Sequence, residues 1–200
     1  MNNTGNMKVW IIALIVVVGV LVGTPMMQFN NLARSFEEVQ AKASTIDVQL
    51  KRRADLIGNL LETVKGYAAH EAEVIASVSD ARARLAGAVT TDEKASANEE
   101  VTGALSRLLV ISESYPELKA DANFRQFSDE LAGTENRISV ARNDYNAAVS
   151  EYNKLIVTFP GNVFAGMYGY ERADYFEATE GDTATPKVGF ALLLHMPCSV

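Results

Sequence analysis

Between Val9 and Met27 the chain carries no charged side chain, and Trp10 to Val22 is dominated by Ile, Val and Leu. About 20 apolar residues cross a hydrocarbon core as a helix, and in lipid only a helix satisfies its own backbone groups there. Residues 1–28 are therefore predicted to be an uncleaved transmembrane anchor that meets the lipid bilayer through residues 9–27. A cleaved signal peptide would need a small-residue processing site, and Val22-Gly23-Thr24 is a poor substitute for one. Lys8 and the amino terminus abut the span, whereas the nearest cations beyond it, Arg34 and Lys42, lie farther away. The balance leans towards a cytoplasmic amino terminus and an extracytoplasmic remainder.

From Phe29 onward the pattern changes from uniform to periodic. Leu32, Phe36, Val39, Ala43, Ile46, Leu50, Ile57, Leu60, Val64, Tyr67, Val74, Val78, Ala81 and Leu85 recur at three- and four-residue spacing, with Arg53 and Glu71 as the only skips. One long helix is predicted over this stretch, bent near Gly58 or Gly66. Thr90 and Glu93 form a capping-box pattern that starts a second helix, whose stripe of Val101, Leu105, Leu108, Ile111 and Tyr115 ends at Pro116. A third helix begins near Asp121 or Asn123 and keeps heptad spacing from Phe124 to Leu155, stopping at Phe159-Pro160-Gly161-Asn162. The predicted fold is all-α: a transmembrane helix, then an elongated antiparallel up-down bundle over 29–172 with three long helices and a short C-terminal helix. Residues 173–200 lose periodicity and are predicted to be an irregular tail, oddly apolar at its end.

Several ordered segments carry a family likeness. The first runs from Ile46-Asp47-Val48-Gln49-Leu50-Lys51-Arg52-Arg53-Ala54-Asp55-Leu56-Ile57 to His70-Glu71; others are Leu105-Ser106-Arg107-Leu108-Leu109, Glu113-Ser114-Tyr115-Pro116, Tyr145-Asn146, Tyr152-Asn153 and Phe159-Pro160. In these the chain resembles the LemA family of bacterial membrane-anchored helical proteins. Gly58 and Ala43 depart from it. The resemblance implies a single-pass protein of the bacterial inner membrane and a helical scaffold rather than a reaction. It also implies magnetosome organelles for one relative, and a helper role beside a membrane protease as a related possibility.

Charge and chemistry narrow the function further. A net charge of -7 and a pI near 4.9 argue against nucleic acid as a partner, since phosphate binding needs a basic face. The single cysteine, Cys198, forms no intrachain disulfide. His70-Glu71 invites a metal-dependent hydrolase reading, but a zinc helix needs a second histidine four residues on, where Val74 stands. No cofactor, metal site or small-molecule substrate is evident. Lys51-Arg52-Arg53 could meet anionic headgroups or a phosphate, yet Asp47 and Asp55 flank Lys51 at helical spacing, and pairing with Glu130, Glu135 or Asp144 of the third helix is favoured. Arg53 lies on the apolar stripe, where a polar residue can fix register. The candidate interaction or register residues are Asp47, Arg52, Arg53, Asp55, Tyr67, His70 and Glu71. The expected function is a non-catalytic scaffold or protein-interaction module that binds other proteins or self-assembles through its helical faces.

Overall fold

The structure is a computed structural model that describes the backbone of residues 3–176, with side chains at 10–16 and 26–176. Six helices follow in order: α1 (Asn3–Tyr67), α2 (Ala72–Gly87), α3 (Thr91–Ser112), α4 (Pro116–Ala120), α5 (Ala122–Val157) and α6 (Gly161–Tyr168). No strand occurs among the described residues, so the all-α expectation holds. Among them, too, no helix is long and apolar enough to cross a membrane. Of the expected span at 9–27, Val9 and 17–25 lie outside the described side chains, and the apolar end at 191–200 lies outside the described residues altogether.

The long first helix expected from the heptad stripe is two helices. α1 ends at Tyr67, the chain turns through Ala68 to Glu71, and α2 runs back along α1. The spacing reads through this turn because Val64 and Tyr67 before it and Val74 and Val78 after it keep a helix-like phase, with no Gly or Pro at the reversal itself. Folding back places Val78, Ala81 and Leu85 in the same core as Ile57, Leu60 and Val64, which a continuous rod would have left for a partner to cover. Gly58 and Gly66 lie inside α1.

Directions follow from the cross-links. Lys42 with Asp144, Gln49 with Arg137 and Arg52 with Glu130 set α5 antiparallel to α1. Arg84 with Glu100 and Arg107 with Ser77 set α3 antiparallel to α2. The result is an up-down-up-down bundle of α1, α2, α3 and α5, one long helix more than expected. Leu50, Ile57, Leu131, Ile138 and Tyr152 share its core.

The helix ends have local causes. Thr90 Oγ1 accepts from the Glu93 N–H at 3.2 Å while the Glu93 carboxylate accepts from the Thr90 N–H at 3.0 Å, the reciprocal box expected at the start of α3. Pro116 occupies the first turn of α4, and Asp121 caps α5 by accepting from the Phe124 N–H at 3.0 Å. At Gly161 a Cβ would overlap the Leu155 carbonyl oxygen, so only glycine lets α6 fold back on the end of α5. Gly169 then adopts a left-handed φ of 73° and the Tyr170 N–H returns to the Ala165 carbonyl, which ends α6 and sends the chain back along α5.

Candidate interaction site

The expected register residue, Arg53, sits at the centre of the bundle with 3% of its surface exposed. Its Nη1 donates to Asn98 Oδ1 at 2.6 Å and to Glu135 Oε2, and its Nη2 donates to Thr102 Oγ1 at 3.1 Å. Asn98 and Thr102 lie one turn apart on α3, so both face the same guanidinium. One α1 side chain thus ties α3 to α5. Burial lowers the Arg53 pKa and the Glu135 carboxylate opposes that by raising it. An arginine stays charged under such a shift. Its Nε is buried without a partner, a desolvation cost carried by the node.

Beside the node a cleft of about 160 Å³ is lined by Leu60, Leu105, Leu109 and Leu131 together with Arg53 and Glu135. That volume falls below the range of typical small-molecule sites, about 300–1,000 Å³.

The remaining candidates are dispersed. Asp47 pairs with Lys94 of α3 at 2.6 Å, and Arg52 turns outward to Glu130 at 3.3 Å. Lys51, Arg52 and Arg53 therefore do not act as one basic patch: Lys51 and Arg52 are exposed while Arg53 is interior. Asp55 lies with Lys51 and Arg82 at a cleft between α1 and α2, where the Arg82 Nε donates to the Ala54 carbonyl at 2.6 Å. The Tyr67 hydroxyl donates to the capping carboxylate of Asp121 at 3.0 Å, which joins the end of α1 to the start of α5.

His70 and Glu71 are neighbours in sequence but have different surroundings. His70 is exposed in the turn, whereas Glu71 accepts from the Tyr115 hydroxyl at 2.9 Å and braces the turn against the end of α3. That hydrogen bond raises the Tyr115 pKa. Among the described residues no group of three or more His, Cys, Asp or Glu side chains could hold a metal ion.

A second constellation escaped the sequence reading. Residues 170–176 lie extended and antiparallel to α5, held by two Tyr-Asn pairs one heptad apart. Tyr152 donates to the Glu171 carbonyl and Tyr145 to the Asp174 carbonyl, each at 2.9 Å. Asn153 binds both backbone groups of Ala173, and Asn146 both of Phe176. Seven helical residues rise about 10.5 Å and three extended residues span about 10 Å, so each heptad of α5 matches three residues of the strap. The repeat Tyr145-Asn146 and Tyr152-Asn153 was the visible signal. Phe176 ends the strap buried, with the Arg142 guanidinium 4.8 Å from its ring centroid. The boundary expected at 172 thus falls inside a bound segment.

The comparisons with known proteins agree on one family. The LemA family pattern matches residues 42–190. Two magnetosome proteins MamQ of Paramagnetospirillum magneticum are 31% identical over 201 positions, covering 86% of this chain and 74% of theirs. The protein LemA of Metamycoplasma hominis is 29% identical over 156 positions, covering 76% of this chain and 69% of its own. With the match extending from the middle of α1 through the strap, this chain belongs to the LemA family.

Proposed function

We propose that this protein is a non-catalytic scaffold or protein-interaction module, held in a bacterial membrane by one span at 9–27 and binding other proteins or further copies of itself through its helical faces. One observation carries the reading: α1 is unbroken from Asn3 to Tyr67, yet its two parts have opposite surroundings. Trp10, Ile11, Ile12, Leu14, Ile15 and Val16 are all exposed, whereas Leu32, Val39, Ile46 and Leu50 farther along the same helix are buried. Apolar side chains left open at one end of a helix whose other end is a packed core need a second apolar medium, and a bilayer supplies it. The magnetosome names of the MamQ relatives support a membrane setting. Lys8, directly before the span, favours a cytoplasmic amino terminus with the bundle outside.

The interior supports a structural role. The one buried cation among the described residues, Arg53, is committed to Asn98, Thr102 and Glu135, and the sequence neighbours His70 and Glu71 face different surroundings. Crosslinking in intact membranes followed by mass spectrometry tests the reading: crosslinks from the faces of α2 and α3 to copies or other proteins are expected, together with retention of the chain in carbonate-washed membranes. Release by the wash would overturn the anchor, and a bundle free of crosslinks would overturn the scaffold.

A further inference from the structure

The end of the bundle next to the expected span is built differently from the rest. From Leu155 to Tyr170 there is no charged residue. α6 packs inward through Ala165, while Val163 and Met167 (67% exposed) stand one turn apart on its open side and Phe159 (83%) is exposed in the turn before it. The Tyr168 ring lies 4.8 Å from the Phe29 ring, centroid to centroid. Phe29 stands two residues past Met27, about 3 Å along the helix from the end of the expected span. Met26 and Met27 are themselves exposed. The open face of α6 is thus continuous with the apolar surface of α1 at the point where that surface meets the bundle.

We propose that α6 and the Phe159 turn before it form a second membrane contact, a lipid-surface site lying in the headgroup layer beside the exit of α1. This rests on the reading of 9–27 as the span. The face suits a lipid surface because it is uncharged and carries aromatic residues, the types that settle at the boundary between hydrocarbon and headgroups. Eight residues are too few to hold a membrane alone, but tethering through α1 makes the second contact intramolecular. The contact gives the bundle two points of attachment and so fixes its rotation about α1.

The test uses the full-length chain in liposomes of phosphatidylethanolamine and phosphatidylglycerol, with lipids brominated near the headgroup or near the chain end as tryptophan quenchers. The wild-type chain reports on its sole tryptophan, Trp10. Met167→Trp and Phe159→Trp, each combined with Trp10→Phe, report on the proposed contact at two independent positions. Leu109→Trp in the same background reports on an exposed site of α3. Both α6-side variants are expected to lose most of their emission to the headgroup-proximal bromine and little to the deep one, while Leu109→Trp is quenched by neither. If Trp10 is quenched and both α6-side variants behave like Leu109→Trp, the second contact is overturned and the anchor stands. A blue shift without quenching also overturns it, in favour of packing between copies. If Trp10 itself is unquenched, the anchor fails and the second contact fails with it.

Discussion

Asn153 reads Ala173 with both ends of its amide, donating from Nδ2 to the carbonyl and accepting the N–H on Oδ1, each at 2.9 Å. The same two-bond pairing recurs between Asn146 and Phe176. A helix side chain here does what a neighbouring strand does in a sheet: it satisfies the backbone of a segment that has no ladder of its own.

Asn153→Ala is expected to lower stability by about 1–3 kcal/mol, because it leaves a part-buried N–H and carbonyl without partners. Asn153→Asp should be comparably harmful, since it keeps the size but turns the donor into an oxygen facing the Ala173 carbonyl. Urea unfolding measures the loss, and faster tryptic cleavage after Arg172 would locate it at the strap. An unchanged cleavage rate would show that the strap does not depend on the amide.

Arg53→Ala is expected to cost about 3 kcal/mol, since it removes the counter-ion of Glu135 and the donor to a buried Asn98. Arg53→Lys should recover only part of this, because an ammonium cannot reproduce the guanidinium fork that meets Asn98, Glu135 and Thr102 together. Arg53→Met tests the division between stability and register. An apolar isostere can restore stability, while faster hydrogen exchange in α3 would show that the tie had fixed the position of that helix.

Acid should weaken the bundle at the starts of α3 and α5 and at the Arg52–Glu130 pair between α1 and α5. The Thr90 and Val89 N–H groups hold the Glu93 carboxyl below its ordinary pKa. The Phe124 N–H, joined by the Tyr67 hydroxyl, does the same to Asp121, and the Gln126 amide and Arg52 to Glu130. A carboxylate depressed by folding contributes stability that is present above its unfolded pKa and lost as pH falls through the folded one. Melting temperature is therefore expected to hold near neutrality and to fall below about pH 5. Glu93→Gln with Asp121→Asn, which keeps acceptors but removes two titrations, should make that acid limb shallower in a series of thermal melts.

His70→Ala is expected to leave both the melt and complementation of a deletion strain unchanged, while Glu71→Ala should lower the melting temperature through the lost Tyr115 hydrogen bond. Tyr115→Phe should reproduce the Glu71→Ala effect, and the double variant should add little to either single one. Loss of complementation by His70→Ala with an unchanged melt would revive a catalytic reading.

The spacing of apolar residues made α3 and α5 legible, because their starts and stops are written locally in Thr90, Glu93, Pro116, Asp121 and Gly161. The turn at 68–71 was not, since nothing in Ala68-Ala69-His70 breaks a helix: its cause is the burial that α2 gains against α1, a tertiary effect. Arg53 stood out as an interruption of the stripe, and the acids facing Arg52 and Arg53 could be named from the third helix. Asn98 and Thr102 could not, because their approach to Arg53 depends on the direction of α3, which follows from the unforeseen turn. The strap was illegible for a related reason. A segment held largely through its backbone leaves no periodicity of its own, and its trace lies in the helix that holds it.

The unbroken course of α1 gives the molecule a lever. From Met27 to Tyr67 the helix rises about 60 Å, so a lean of about 10° at its apolar end sweeps the far turn sideways by about 10 Å, well within the tilt range of spanning helices. With residues 9–27 spanning as proposed above, bilayer thickness would be delivered as displacement at the turn braced by Glu71 and Tyr115, far from any lipid.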